Sequence, residues 1–196
     1  MSNLPIDIHP DSRCRLPPPP RPSESEAQKL YDSHVTPNEH SIRGLHGPAG
    51  IYLHSPSLAA KRRAAGRYLR FEADIPPRVR EVAILVTARS CQCRFEWAAH
   101  DEEARRNGVP EMTIEAIRTE NSDLSGIDPI DALIINLGRS IFKQHKVDSR
   151  TYAACIAQFG EKNMVDLVAL MGSYAATAAV LIAFDMHLDE GVTPAF

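Results

Sequence analysis

Apolar residues recur along most of this chain at intervals of three and four, the spacing that lines one face of a helix. Ser55-Pro56 pairs a capping serine with proline at a first helical position, and Leu58, Ala59, Ala65 and Leu69 carry that helix to about Phe71. Pro76-Pro77 breaks the chain and starts a helix over about 77–91, whose Val79, Val82, Ala83, Leu85 and Val86 cover so much of its surface that it should be central. The next holds 95–106 and stops at Asn107-Gly108. Pro110 opens a short helix to about Glu120, and Asp128-Pro129 opens another that ends near His145. Asp148 or Ser149 caps a helix to Phe159, Gly160 breaks it, and a long helix continues to about Asp185. A short helix over 25–33 precedes them all. No stretch sustains strand alternation, although Val82 to Thr87 is locally β-prone, and no solenoid repeat is present. The pattern predicts an all-α fold.

The pattern fails at the N-terminus. Residues 1–24 form a proline-rich arm with a run from Pro17 to Pro20, which favours extended polyproline geometry and removes backbone donors. It reads either as a disordered tail or as an arm docked on a neighbouring subunit through Leu4, Ile6, Ile8 and Leu16. Residues 25–196 read as one helical domain. Pro37, Gly44, Gly47, Pro48 and Gly50 mark a loop with His34, His40, His46 and His54 in or near it, and loops of this length are often functional.

Charge and composition narrow the classes. A formal net charge of −3 gives no reason to expect nucleic acid or an anionic membrane as partner. Val165 to Phe184 is apolar and near membrane-spanning length, but Asp166, Gly172, Ser173, Tyr174 and Thr177 interrupt it, so a buried helix or a subunit contact is expected instead. The small residues Ala169, Gly172, Ala175, Ala176, Ala178 and Ala179 would let helices approach closely, which points to a homo-oligomer built on the helix from about Lys162 to Asp185. Cys14, Cys91, Cys93 and Cys155 show no disulfide-framework spacing, and no apolar signal stretch opens the chain, so a cytoplasmic location is expected.

Chemistry-bearing residues concentrate at Cys93, Glu96, Trp97 and His100. On a helix Cys93, Glu96 and His100 share a face, and a carboxylate one turn from an imidazole can exchange a proton with it. The plainer reading is an ordinary i,i+4 surface pair. Glu81 lies within an apolar stretch, where a buried carboxylate needs a partner; a structural ion pair with an arginine would serve as well as a catalytic role. Cys91-Gln92-Cys93 is C-x-C, a poor disulfide and a poor zinc half-site, so structural thiols are expected and no metal centre.

The run from Arg78 to Leu85, then Ala88-Arg89, then Phe95-Glu96-Trp97-Ala98-Ala99-His100, continuing through Ala104 to Pro110 and Ile114 to Ile117, resembles the carboxymuconolactone decarboxylase family. His54 to Ala59 and Val165 to Gly172 are similar to further family segments, so the resemblance covers roughly 40–190. It implies an alkylhydroperoxidase D-like helical bundle, oligomeric (trimer or hexamer), with sites near subunit contacts and no metal or organic cofactor. Related redox proteins carry a glutamate, C-x-x-C and a histidine, which fall here on Glu81, Cys93, Glu96 and His100. The second cysteine is Glu96, so the dithiol cannot form.

The resemblance therefore implies a lyase of the decarboxylase kind, acting on a small carboxylated or lactone-type molecule, as in aromatic-compound catabolism. Glu96, His100 and Glu81 would be catalytic, and Arg43, His54, Arg80, Arg89 and Trp97 would bind substrate. The competing readings are a thiol-dependent peroxidase using Cys93, a hydrolase or isomerase using the same Glu–His pair, and a non-catalytic oligomeric binding protein.

Overall fold

Residues 4–23, 25–35 and 42–196 are described by a computed structural model. Among them the chain forms α-helices and no strand: α1 (Ser25–Val35), α2 (Pro48–Tyr52), α3 (Pro56–Arg67), α4 (Pro77–Ser90), α5 (Arg94–Arg106), α6 (Glu111–Arg118), α7 (Pro129–Arg139) and α8 (Ser149–Ala183). The all-α expectation holds. The proline starts of α3, α4 and α7 fall where the sequence places them, because proline fixes φ at a position whose N–H has no helical acceptor. Asp128 caps α7 by accepting from the amides of Ile130 and Asp131, and Asp148 caps α8 by accepting from those of Arg150 and Thr151. Gly160 interrupts α8 with φ 75° and ψ 169°, a conformation that glycine adopts without a Cβ penalty.

Two local features differ from the periodic reading. The expected loop contains α2, a single helical turn started by Pro48, while Pro37 and His40 lie outside the described residues. Two helices also end in π turns, Tyr68–Glu72 after α3 and Ser140–Gln144 after α7. Apolar spacing alone reads straight through such a turn as α-helix, because it adds only one residue to the period.

The described chain divides into two units, residues 1–67 with 179–193 and residues 68–178 with 194–196. In the first, Leu30, Leu53 and Ala59 bring α1, α3 and the segment after α2 together. The proline-rich arm is anchored within this unit. Ile8 and Cys14 are buried, while Ile6 stands out in solvent. Arg15 donates its backbone N–H to the Phe184 carbonyl, and His187 donates its own to the Arg13 carbonyl.

In the second unit α4 is central, as its all-round apolar surface requires: Val82, Ala83, Ile84 and Leu85 are fully buried. It packs on α5, α6 and α7, and α8 adds Leu167, Leu170 and Met171 to the same core. Arg78 of α4 pairs with buried Asp131 of α7 at 2.7 Å, and Thr113 of α6 donates to the same carboxylate at 3.0 Å. Three helices are thus pinned at one polar point inside an apolar layer. The closest approach is at Gly138 of α7, where an added Cβ would stand 2.6 Å from Cγ1 of Val86. Gly138→Ala should therefore lower stability in urea unfolding by about 1–3 kcal/mol from overpacking, less up to about 1 kcal/mol of helix propensity. Adding Val86→Ala should recover part of the loss; a single variant as stable as the wild type would contradict this packing.

Candidate active site

A short, sharp turn sets the site. Between α4 and α5, Gln92 takes a left-handed φ of 56°, and Cys93 donates its N–H back to the Ala88 carbonyl. This folds α5 back along α4, so residues 19 apart in sequence meet. Glu81, one of the buried positions of α4, faces His100 of α5: His100 Nδ1 lies 2.8 Å from Glu81 Oε2. On the other edge of the ring, Nε2 lies 3.6 Å from Glu96 Oε2, one helical turn earlier on α5. Glu81, Glu96 and His100 are 1%, 4% and 3% exposed, so this is a buried cluster and not a surface i,i+4 pair.

Two buried carboxylates need compensation. Arg80 supplies part of it: its Nε donates to Glu81 Oε1 at 3.1 Å, and its Nη1 donates to the Arg70 carbonyl. Burial pushes the Glu81 carboxyl up, but the hydrogen bond and charge of His100, with the charge and hydrogen bond of Arg80, outweigh burial and hold it below the usual glutamate value of 4.5. With His100 protonated, two cations face two anions. Moving that proton to Glu96 or to a bound molecule keeps the cluster's charge changes within one unit, which suits a relay of acid and base.

Cys93 starts α5, and its thiol is 2% exposed. Burial, with the nearby Glu96 charge adding to it, pushes the thiol up to about 12, so it is held as neutral SH near neutral pH. Trp97 is 2% exposed and meets the Phe196 ring edge-on at 5.4 Å. Arg89 lies over that same ring at 4.4 Å, donates Nε to the Arg118 carbonyl and faces Glu120 at 3.4 Å. Trp97 and Arg89 thus share Phe196, whereas Arg80 shares the glutamate cluster. Arg43 and His54 belong to the first unit. There Arg43 pairs with Asp189 at 2.6 Å, and a ring nitrogen of His54 bonds to the Pro17 carbonyl at 3.0 Å. Among the described residues no group of three or more His, Cys, Asp and Glu side chains could hold a metal ion.

Sequence reading missed two residues beside the cluster. Tyr174 of α8 sets its ring edge-on to His100, with centroids 5.0 Å apart and planes at 85°. Burial raises its phenol, the charge of Arg70 opposes this, and Glu96 and Glu81 raise it further. Arg70, in the first π turn, was hidden because that turn shifts the helical phase. Tyr174 had surfaced only as a polar interruption in an apolar run.

Residues 56–135 match the model of the carboxymuconolactone decarboxylase family. The match runs from the start of α3 into α7 and takes in Glu81, Cys93, Glu96, Trp97 and His100; Arg43, His54 and Tyr174 lie outside it. Neither a curated protein nor a solved structure matches the chain.

The lowered Glu81 carboxyl fixes a pH dependence. A carboxyl held lower in the folded protein contributes stability above its unfolded value of 4.5, and loses it as pH falls through the folded value. Thermal melts of the wild type and Glu81→Gln should differ by a constant amount above that value and converge below it. A gap that persists unchanged to about pH 3 would contradict the assignment.

Proposed function

From the match of residues 56–135 to the model of the carboxymuconolactone decarboxylase family, we propose that this chain is a cofactor-independent carbon–carbon lyase of the decarboxylase kind, acting on a small carboxylated or lactone-type metabolite, in the cytoplasm. Breakdown of aromatic-derived compounds is the setting we propose for it. One observation carries the reading: a buried imidazole has a carboxylate on each edge, Glu81 at 2.8 Å and Glu96 at 3.6 Å.

In this reading Glu81 accepts a hydrogen bond from Nδ1–H of His100 and fixes the ring, and Arg80 holds Glu81 in turn. That leaves Nε2 to exchange its proton with Glu96 and with substrate. As the carbon–carboxylate bond breaks, its electron pair moves into the conjugated lactone carbonyl and carbon dioxide leaves. A hydrogen bond from protonated His100 stabilises the developing oxyanion. The proton then passes to carbon, and Glu96 returns one to the imidazole from solvent. A hydrolase or isomerase would use the same pair. A peroxidase would instead need Cys93, whose buried thiol is pushed up to about 12 and whose C-x-x-C partner position is Glu96.

We further propose a homo-oligomer, a trimer or hexamer, in contact through α8. Val165 is 68% exposed, Val168 is 37% exposed, and Ala169, Gly172 and Ala176 continue the exposed row one turn at a time. By length and composition α8 could also cross a membrane. Against that, its Leu167, Leu170 and Met171 line the core of the second unit, and Asp166 pairs with Lys162 and Tyr68. A second copy accounts for the apolar row without placing those charges in lipid.

Two experiments test these proposals. Turnover on a panel of lactone acids should fall about a hundredfold or more in His100→Ala and in Glu96→Gln, the usual scale for removing a general acid or base. The double variant should be little worse, because the pair acts as one unit. Cys93→Ser should keep most activity. Near-normal turnover in either folded single variant, or complete loss in folded Cys93→Ser, would overturn the lyase reading. Sedimentation equilibrium should give a mass that is a multiple of the 21.7 kDa chain; a species at the chain mass alone would rule out the oligomer.

A further inference from the structure

Arg70 is a cation whose side chain has not been paired. Its Nε is shut away from solvent with no hydrogen-bond partner, and its guanidinium forms no ion pair among the described residues. Its only side-chain neighbour of note is the Phe71 ring, 4.9 Å below the guanidinium. Its charge acts on the Tyr174 hydroxyl, as do those of Glu96 and Glu81, and the fold takes some trouble to place it. It lies in the π turn Tyr68–Glu72, and Arg80, the residue that grips Glu81, also grips the Arg70 carbonyl. A π turn re-aims the side chains it carries, and such turns recur at functional sites.

The neighbouring donor is Tyr174. Its ring packs on His100, and no hydrogen bond of its hydroxyl is made within the described residues. Burial and the two glutamate charges keep that phenol protonated, so it is a donor and not a base. Arg70 and Tyr174 are both half-buried, whereas Glu81, Glu96 and His100 are closed in. A charged group arriving from solvent therefore meets the arginine and the phenol first.

We propose that Arg70 and the Tyr174 hydroxyl form the anchor for one carboxylate of the substrate, and so set its reacting end against His100 and Glu96. A planar guanidinium binds a carboxylate through two parallel hydrogen bonds, and the phenol adds a third. The local charge selects the ligand class. Glu81 and Glu96 would repel a phosphate dianion, while a single negative charge is balanced by the Arg70 guanidinium. The proposal rests on the acid/base reading above, and it names a substrate-binding pair that the match over residues 56–135 contains only in part.

The test is titration calorimetry and ligand-observed NMR with levulinate, succinate, benzoate and a γ-lactone acetic acid, each run beside its methyl ester. At least one acid should bind at millimolar concentration or below, and its ester should not. Arg70→Met, checked for native melting, should weaken that acid by about tenfold or more, and Tyr174→Phe by several-fold. If Arg70→Met fails to fold, Arg70→Lys serves instead: it keeps the charge but loses the fork, and should still weaken binding several-fold. No binding by any acid, equal binding of acid and ester, or unchanged affinity in the folded Arg70 variant would each overturn the anchor. The two readings fail separately. Near-normal turnover in His100→Ala with binding still lost in Arg70→Met removes the acid/base role and leaves the anchor; the opposite pattern removes the anchor alone.

Discussion

Two carboxylates inside an apolar helical layer constrain everything around them. Glu81 and Glu96 cannot remain charged there without cations close by, and the structure sets Arg80 beside Glu81 and His100 between the two glutamates. The sharp turn at Gln92, which lays α5 along α4, and the burial of the imidazole both serve that demand. It also explains why α4, otherwise apolar on all sides, tolerates an acidic residue at its centre. Removing His100 would leave Arg80 to compensate Glu81; removing Glu81 would release the ring that it holds in place.

The helices were legible because their ends are written in local chemistry. Prolines at 56, 77 and 129, aspartates at 128 and 148, and Gly160 act within a turn of where they sit, so no tertiary knowledge is needed to place them. The turn at Pro48 and the two π turns were not legible. Neither changes the spacing of apolar residues enough to show in a single sequence. Glu96 and His100 were legible as a pair from one-turn spacing, and Glu81 from its apolar neighbours. That the three meet depends on the fold of α5 along α4, which the spacing within either helix does not report.

Arginines were the weakest part of the reading, for a physical reason. The sequence shows where a guanidinium begins but not what it reaches, since its long stem covers many alternatives. Arg43 reaches Asp189, Arg89 reaches Glu120 and the Phe196 ring, and Arg80 reaches Glu81. Arg70 Nε reaches no acceptor among the described residues. Its unmet hydrogen bond, like that of Arg89 Nη1, is a property that exists only once every neighbour has been placed.

The π turn at Tyr68–Glu72 holds one residue more than an α-helical turn needs. It closes α3, and the non-helical residues 73–76 separate it from α4, so the surplus leaves the internal register of α4 untouched. Shortening the turn by one residue would therefore keep the internal register of α3 and of α4 and change the bearing of the side chains between them, Arg70 among them.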